Sequence, residues 1–152
     1  MACAPRLETA QSDCDLAVFC VASTSLAVRE ALRAVLLHPM MEHLSDDARG
    51  HIELVLAEAM NNVVEHAYDC ADGKIELRLL RDQGQLLCEV VDSGVAMPDG
   101  QLPIGAAQQL GRECDLPEGG FGWFLIRSLT ENLAYKRSDA RNYLSFQLKL
   151  EQ

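Results

Sequence analysis

Glu58, Asn62 and His66 recur at four-residue intervals in the stretch from Ile52 to Tyr68, a spacing that stacks a carboxylate, an amide and an imidazole along one side of a helix. A carboxylate and an amide oxygen one turn apart suit a hard cation such as magnesium, which takes oxygen ligands and fills its other positions with water and substrate phosphate. Two glycine-bearing segments follow: Asp92-Ser93-Gly94 at the end of an apolar run, and Gly119-Gly120-Phe121-Gly122 at the start of another. The first can bring a carboxylate to a ligand with a glycine beside it. The second leads into an apolar helix whose free N–H groups could cradle phosphate. In outline this is a nucleotide-and-metal site.

Each feature also has an ordinary reading. Around the helix, Asn61, Glu65, Glu58, Asn62 and His66 fall on one side, and Ile52, Leu56, Ala59, Met60, Val63, Val64 and Ala67 occupy the other, as on any amphipathic helix with a solvated face. The adjacent Asn61 and Asn62 argue against that reading, because Asn is a poor helix former and an exposed face more naturally carries Lys, Glu, Gln or Arg. Asp-x-Gly alone is a common turn, and the glycine segment alone is also a hinge after Pro117. A P-loop is excluded by the absence of G-x-x-x-x-G-K-[ST], and a Rossmann fingerprint by Leu125 in place of its third glycine.

The surrounding pattern supplies the elements that must position these groups. Leu16 to Ala22 reads as a strand, Ser23-Thr24-Ser25 as caps for a helix from about Leu26 to Leu37, and Pro39 as its stop. Ser45-Asp46-Asp47 starts the long helix ending near Tyr68. Ile75, Leu77 and Leu79 alternate with polar residues, Asp82-Gln83-Gly84-Gln85 closes a hairpin, and Leu86 to Val91 returns. Residues 95–118 hold three prolines and three glycines and read as a long lid-like loop with one short helical piece around Ala106 to Leu110. Gly122 to Thr130 then forms a buried helix, Leu133 to Lys136 a short strand, and Leu144, Phe146, Leu148 and Leu150 alternate in a last strand. The expected fold is α/β in the α+β sense: a two-layer sandwich with helices on one face of a mixed, mostly antiparallel sheet. It occupies residues 16–152 behind a polar leader, 1–15.

The chain has 152 residues, 49% of them hydrophobic, enough for one core. A formal charge of −10 opposes direct nucleic-acid binding. Cys3, Cys14, Cys20, Cys70, Cys88 and Cys114 form no C-x-x-C pair, which suggests free thiols in a reducing compartment. With no apolar run of about 18 residues and no signal-like leader, the expectation is a cytoplasmic protein away from the membrane.

In order, Glu58…Asn62…His66-Ala67-Tyr68, Asp92-Ser93-Gly94 and Gly119-Gly120-Phe121-Gly122-Trp123-Phe124-Leu125-Ile126 resemble the three nucleotide-binding boxes of the histidine-kinase-like (GHKL) ATPase superfamily. Within it, the E-A-x-x-N-x-x-x-H-A-Y and G-G-x-G-x-F-L-I forms resemble the anti-sigma-factor serine/threonine kinases, over roughly residues 16 to 150. The resemblance implies ATP and Mg2+ as cofactors, with Asn62 holding the metal and Glu58 as general base for a protein serine hydroxyl. Asp92 would accept from the adenine amino group, Gly94 would line the same pocket, and Gly120 and Gly122 would contact the phosphates beneath a lid at 95–118. His66 would support the site, although a helix-end role is as ordinary. The implied partners are a sigma factor, an anti-sigma-factor antagonist and a second copy in a homodimer. Arg29, after Leu26-Ala27-Val28, would dock a partner; a surface ion pair with Glu30 is the plain alternative. The chain departs from the family pattern at Met97, which with Pro98 and Asp99 replaces Phe-Asp-Pro, and at Val63, Phe121 and Trp123. A non-catalytic, nucleotide-gated binding module is the rival reading. The detached ATPase portion of a sensor kinase is the less favoured third.

Overall fold

In the computed structural model, residues 15–68, 72–103 and 120–150 are described. Five strands and three helices alternate along them: β1 (Asp15–Ala22), α1 (Ser25–Leu37), α2 (Asp46–Asn62), β2 (Lys74–Asp82), β3 (Gln85–Asp92), α3 (Gly120–Leu129), β4 (Glu131–Ser138) and β5 (Arg141–Lys149). Short 3-10 turns lie at Pro39–Met41 and Pro98–Gly100, and a π turn spans Val63–Ala67.

The helix starts are those expected from the sequence. Thr24 Oγ1 accepts from the Ala27 N–H at 3.1 Å, and Ser45 Oγ accepts from the Ala48 N–H at 3.1 Å, so each hydroxyl satisfies an amide the helix itself cannot. Asp46 and Asp47 add negative charge to the first turn of α2, where the helix dipole favours it. After α1, two arginines secure the connection. Arg49 donates to the carbonyls of Leu36 and Met41 at 2.8 and 2.9 Å. Arg81 donates to those of Met40 and Glu42 at 2.6 and 3.0 Å.

The sheet order is β1-β2-β3-β5-β4. All its pairings among the described residues are antiparallel, in keeping with the mixed, mostly antiparallel sheet expected from the sequence and without its parallel part. Both tight hairpins use two residues at positive φ: Gln83 and Gly84 at 45° and 79°, and Asp139 and Ala140 at 51° and 60°. That handedness matches the twist of the flanking strands.

Alternation gives the sheet one apolar face. Ile75, Leu77 and Leu79, Leu86, Cys88 and Val90, and Leu144, Phe146 and Leu148 are buried. They pack with Val28, Leu32 and Val35 of α1, Ile52, Val55, Leu56, Ala59 and Met60 of α2, and Trp123 and Ile126 of α3 in one core. On the opposite face Arg78 pairs with Glu76 and Glu89; the hydrogen bond it donates to Glu76 is the main cause that raises its pKa. Leu16 and Val18 of β1 are exposed there. No helix of the described residues is long and apolar enough to cross a membrane.

The expected short strand at 133–136 is part of the longer β4, which bulges near its start, with Asn132 at φ 53°. The leader, most of the lid with its expected helical piece, Gly119, and Cys3, Cys14, Cys70 and Cys114 lie outside the described residues.

Candidate functional site

The polar stripe of α2 survives only as far as Asn62. From Val63 the chain winds one residue wider, and the Tyr68 N–H reaches the Val63 carbonyl at 3.4 Å across a π turn. Such turns often mark functional positions. Here the change of phase leaves Glu65 and His66 outside: their side chains are 60% and 68% exposed, with His66 Nε2 3.7 Å from Glu65 Oε2. His66 is therefore not brought into the cluster that the sequence assigned it to. Glu58 and Asn62 stay half-buried on α2. Asn62 Nδ2 is buried without a hydrogen-bond partner, a condition that costs free energy unless a ligand or water supplies an acceptor.

Asp92 closes β3 and is only 5% exposed. Its Oδ1 accepts from the Gly94 N–H at 2.9 Å and from Asn142 Nδ2 at 2.8 Å. Three residues on, the turn is locked to the end of the long helix, where the Val95 N–H donates to the Ala67 carbonyl at 2.7 Å. A Cβ on Gly94 would collide with that same backbone carbonyl. Glycine is required here by the approach of two chain segments, a reason additional to the expected lining of a pocket. Tyr68 completes the attachment, its hydroxyl donating to the Lys74 carbonyl and accepting from the Ser93 N–H, both at 2.8 Å.

The second glycine segment meets α2 directly. A Cβ on Gly122 would overlap Glu58 Oε2, so the carboxylate lies against the first turn of α3, which begins at Gly120. Trp123 and Ile126 anchor that helix in the core. Phe121 remains 45% exposed and sits edge-on to Phe124. The departures at Phe121 and Trp123 thus have different fates, one at the surface of the helix start and one in the interior. Met97 is half-buried against the core, and its N–H donates to Tyr135 Oη at 3.1 Å. Arg29 is exposed on α1, away from these contacts.

Sequence reasoning missed Asn142, Tyr135 and Arg137, which complete the Asp92 environment. Asn142 Oδ1 accepts from Tyr135 Oη at 2.5 Å and from Arg137 at 2.8 Å. Its Nδ2 also faces the carbonyls of Gly94 and Val95 at 3.3 and 3.0 Å. One signal was present. Asn142 occupies the inward phase of an otherwise apolar alternation with Leu144, Phe146 and Leu148.

Three properties of these residues fit a metal–nucleotide complex. The Asn62 Nδ2 donor lacks an acceptor among the described residues, which a phosphate oxygen could supply, the start of α3 next to Glu58 is free of side-chain bulk at Gly122, and Asp92 Oδ2 takes no hydrogen bond among the described residues. No group of three His, Cys, Asp or Glu that could enclose a metal occurs among the described residues. A cation held here must draw oxygens from its ligand, as magnesium does from phosphates.

A search of curated proteins gave no match. Among solved structures, the Erythrobacter litoralis EL346 blue-light activated histidine kinase matches with a TM-score of 0.53 at 22% identity, over 81% of this chain and 39% of that one. That likeness concerns the fold, and this chain spans well under half the length of that kinase. The family model described as the histidine kinase-like ATPase domain matches residues 21–148, nearly the whole of the described fold, and the chain belongs to that family.

Proposed function

We propose that the protein is an ATP-dependent serine/threonine protein kinase acting as an anti-sigma factor, which binds a sigma factor and phosphorylates an anti-sigma-factor antagonist. The observation that carries the catalytic part is the placement of the Glu58 carboxylate against the first turn of α3, where Gly122 leaves no room for a Cβ. A phosphate at that helix start would lie beside a group able to take a hydroxyl proton. The motif forms E-A-x-x-N-x-x-x-H-A-Y and G-G-x-G-x-F-L-I support the branch of the family, and with it the sigma factor, the antagonist and a homodimer as partners, with Arg29 at a docking surface.

Magnesium, when bound, would neutralise phosphate charge during transfer. Asn62 would hold it through its amide oxygen. Glu58 would orient and deprotonate the attacking serine, Asp92 would accept from the adenine amino group, and the N–H groups at Gly120 and Gly122 would bind phosphate. Met97 and Tyr135 fix the chain beside the base site.

The deciding measurement is thermal unfolding with ADP or ATP, with and without magnesium, on wild type, Asp92→Asn and Asn62→Ala. Ligand at about 100 times its Kd stabilises by roughly 2.7 kcal/mol, several degrees for a domain of this size. A magnesium-dependent rise abolished by both substitutions is expected; no rise with any nucleotide refutes the reading. Glu58→Ala then separates kinase from binding module, because it should remove phosphorylation of the antagonist and leave its binding intact.

A further inference from the structure

Asn142 lies outside the three boxes read in the sequence, yet it is the best-connected side chain near Asp92. It is 5% exposed and pairs across the β3–β5 ladder with Asp92 itself. Its amide is oriented without ambiguity. At one end stand donors: the Arg137 guanidinium, which can only donate, and Tyr135 Oη. At the other stand acceptors: the carbonyls of Gly94 and Val95. The oxygen must therefore face Arg137 and Tyr135, and the nitrogen must face Asp92.

A consequence follows for Asp92. Its Oδ1 receives hydrogens from both Asn142 Nδ2 and the Gly94 N–H, which pins the carboxylate in rotation through that oxygen. Oδ2, left without a partner among the described residues, is the oxygen offered to a ligand. We infer that Asn142, fixed by Arg137 and Tyr135, is a positioning residue that holds Asp92 as an acceptor and so makes the site select a purine with a 6-amino donor over one with a 6-oxo acceptor. The inference rests on the nucleotide-binding reading and adds to it the group that sets base preference. A hydroxyl or amide mismatch at a site built for one hydrogen-bond polarity leaves buried groups unpaired, which is the strong form of discrimination.

The test compares Kd for ADP and for IDP, which differ at the 6-position, by calorimetry. Asn142→Asp keeps the shape and removes the donor to Asp92 Oδ1. Asn142→Thr loses the shape and keeps a donor. Wild type should prefer ADP by about tenfold or more. Asn142→Asp should lose most of that preference. Asn142→Thr should stay within about threefold of wild type. Tyr135→Phe, at a half-buried position, removes one of the two donors to the amide oxygen and should lower the preference by about three- to fivefold; it serves if Asn142→Asp does not fold. An unchanged preference in both Asn142→Asp and Tyr135→Phe overturns the inference, as does a collapse in Asn142→Thr equal to that in Asn142→Asp, which would make the role one of packing. Wild type binding ADP and IDP equally also overturns it. Wild type binding neither nucleotide refutes the nucleotide-binding reading beneath it, and so is distinguishable from the other results.

Discussion

The same substitution at two glycines should have opposite consequences, because different atoms stand where the new methyl would go. In Gly94→Ala the Cβ meets the Ala67 carbonyl and its carbonyl carbon, backbone at the end of a packed helix that cannot step aside. Overpacking of this kind costs about 1–3 kcal/mol. Separating the segments also stretches the hydrogen bond from the Val95 N–H to the Ala67 carbonyl, now 2.7 Å, at about 1 kcal/mol more. A total near 2–4 kcal/mol should lower Tm by about 5–15 °C for a chain of this length. In Gly122→Ala the Cβ meets only Glu58 Oε2, the far end of a side chain that can rotate away. That rotation costs about 0.5–1.5 kcal/mol, and replacing a helical glycine by alanine returns up to about 1 kcal/mol. Stability should stay within about 1 kcal/mol of wild type, while displacement of the carboxylate should lower the proposed phosphoryl transfer by about 10²–10⁴-fold. Thermal unfolding and antagonist phosphorylation, measured on both variants, check the pair. A Gly122→Ala protein as destabilised as Gly94→Ala, or a Gly94→Ala protein of wild-type Tm, would refute the reasoning.

Three further outcomes are expected. Ala140 sits at φ 60° in the β4–β5 turn, where a side chain costs about 1–2 kcal/mol. Ala140→Gly should therefore raise Tm by about 1–4 °C despite the added freedom of the unfolded chain, and a fall in Tm would count against a strained turn. Arg81→Met removes two donations to the Met40 and Glu42 carbonyls and should cost about 1–3 kcal/mol in chemical denaturation; an unchanged midpoint would show that the connection after α1 holds without it. Cys20 is exposed and Cys88 buried, and burial pushes the Cys88 thiol pKa up. Iodoacetamide should therefore label Cys20 in the native protein and Cys88 only on unfolding, as mass mapping would show; equal rates at the two sites would contradict the core placement of β3.

Most of the fold was legible because local chemistry and tertiary packing agree. The alternation of Ile75, Leu77 and Leu79 against polar neighbours gave β2, and Thr24 and Ser45 marked the helix starts they cap. The π turn was not legible, because Val63-Val64-Glu65-His66-Ala67 continues the apolar-polar repeat of α2 equally well in either winding. What selects the wider turn is the docking of Ala67 and Tyr68 onto the Asp92 turn, a contact between distant parts of the chain. The candidate site was legible where a single residue type suggests a role, at Glu58, Asn62, Asp92 and Gly122. It was hidden where the chemistry lies in pairing: Tyr135 and Arg137 are unremarkable in an exposed edge strand until β5 brings Asn142 beside Asp92. His66 lies outside the cluster for the same reason, because the wider turn carries it to the surface.

The pairing of β3 with β5, together with the packing of α3 on α2, joins two stretches of chain: β1 through β3 with α1 and α2, and α3 followed by the β4–β5 hairpin. Hairpins close in microseconds, whereas a ladder between residues about fifty positions apart must first overcome loop-closure entropy. Asp92 and Asn142 sit at one end of that ladder, so the binding site is completed only when the late step finishes. Amide exchange should then show the two stretches as separate cooperative units, with the seam between them the first to open. A nucleotide contacting Asp92, Glu58 and the start of α3 would bridge both units and slow the opening of the seam more than fraying within either hairpin.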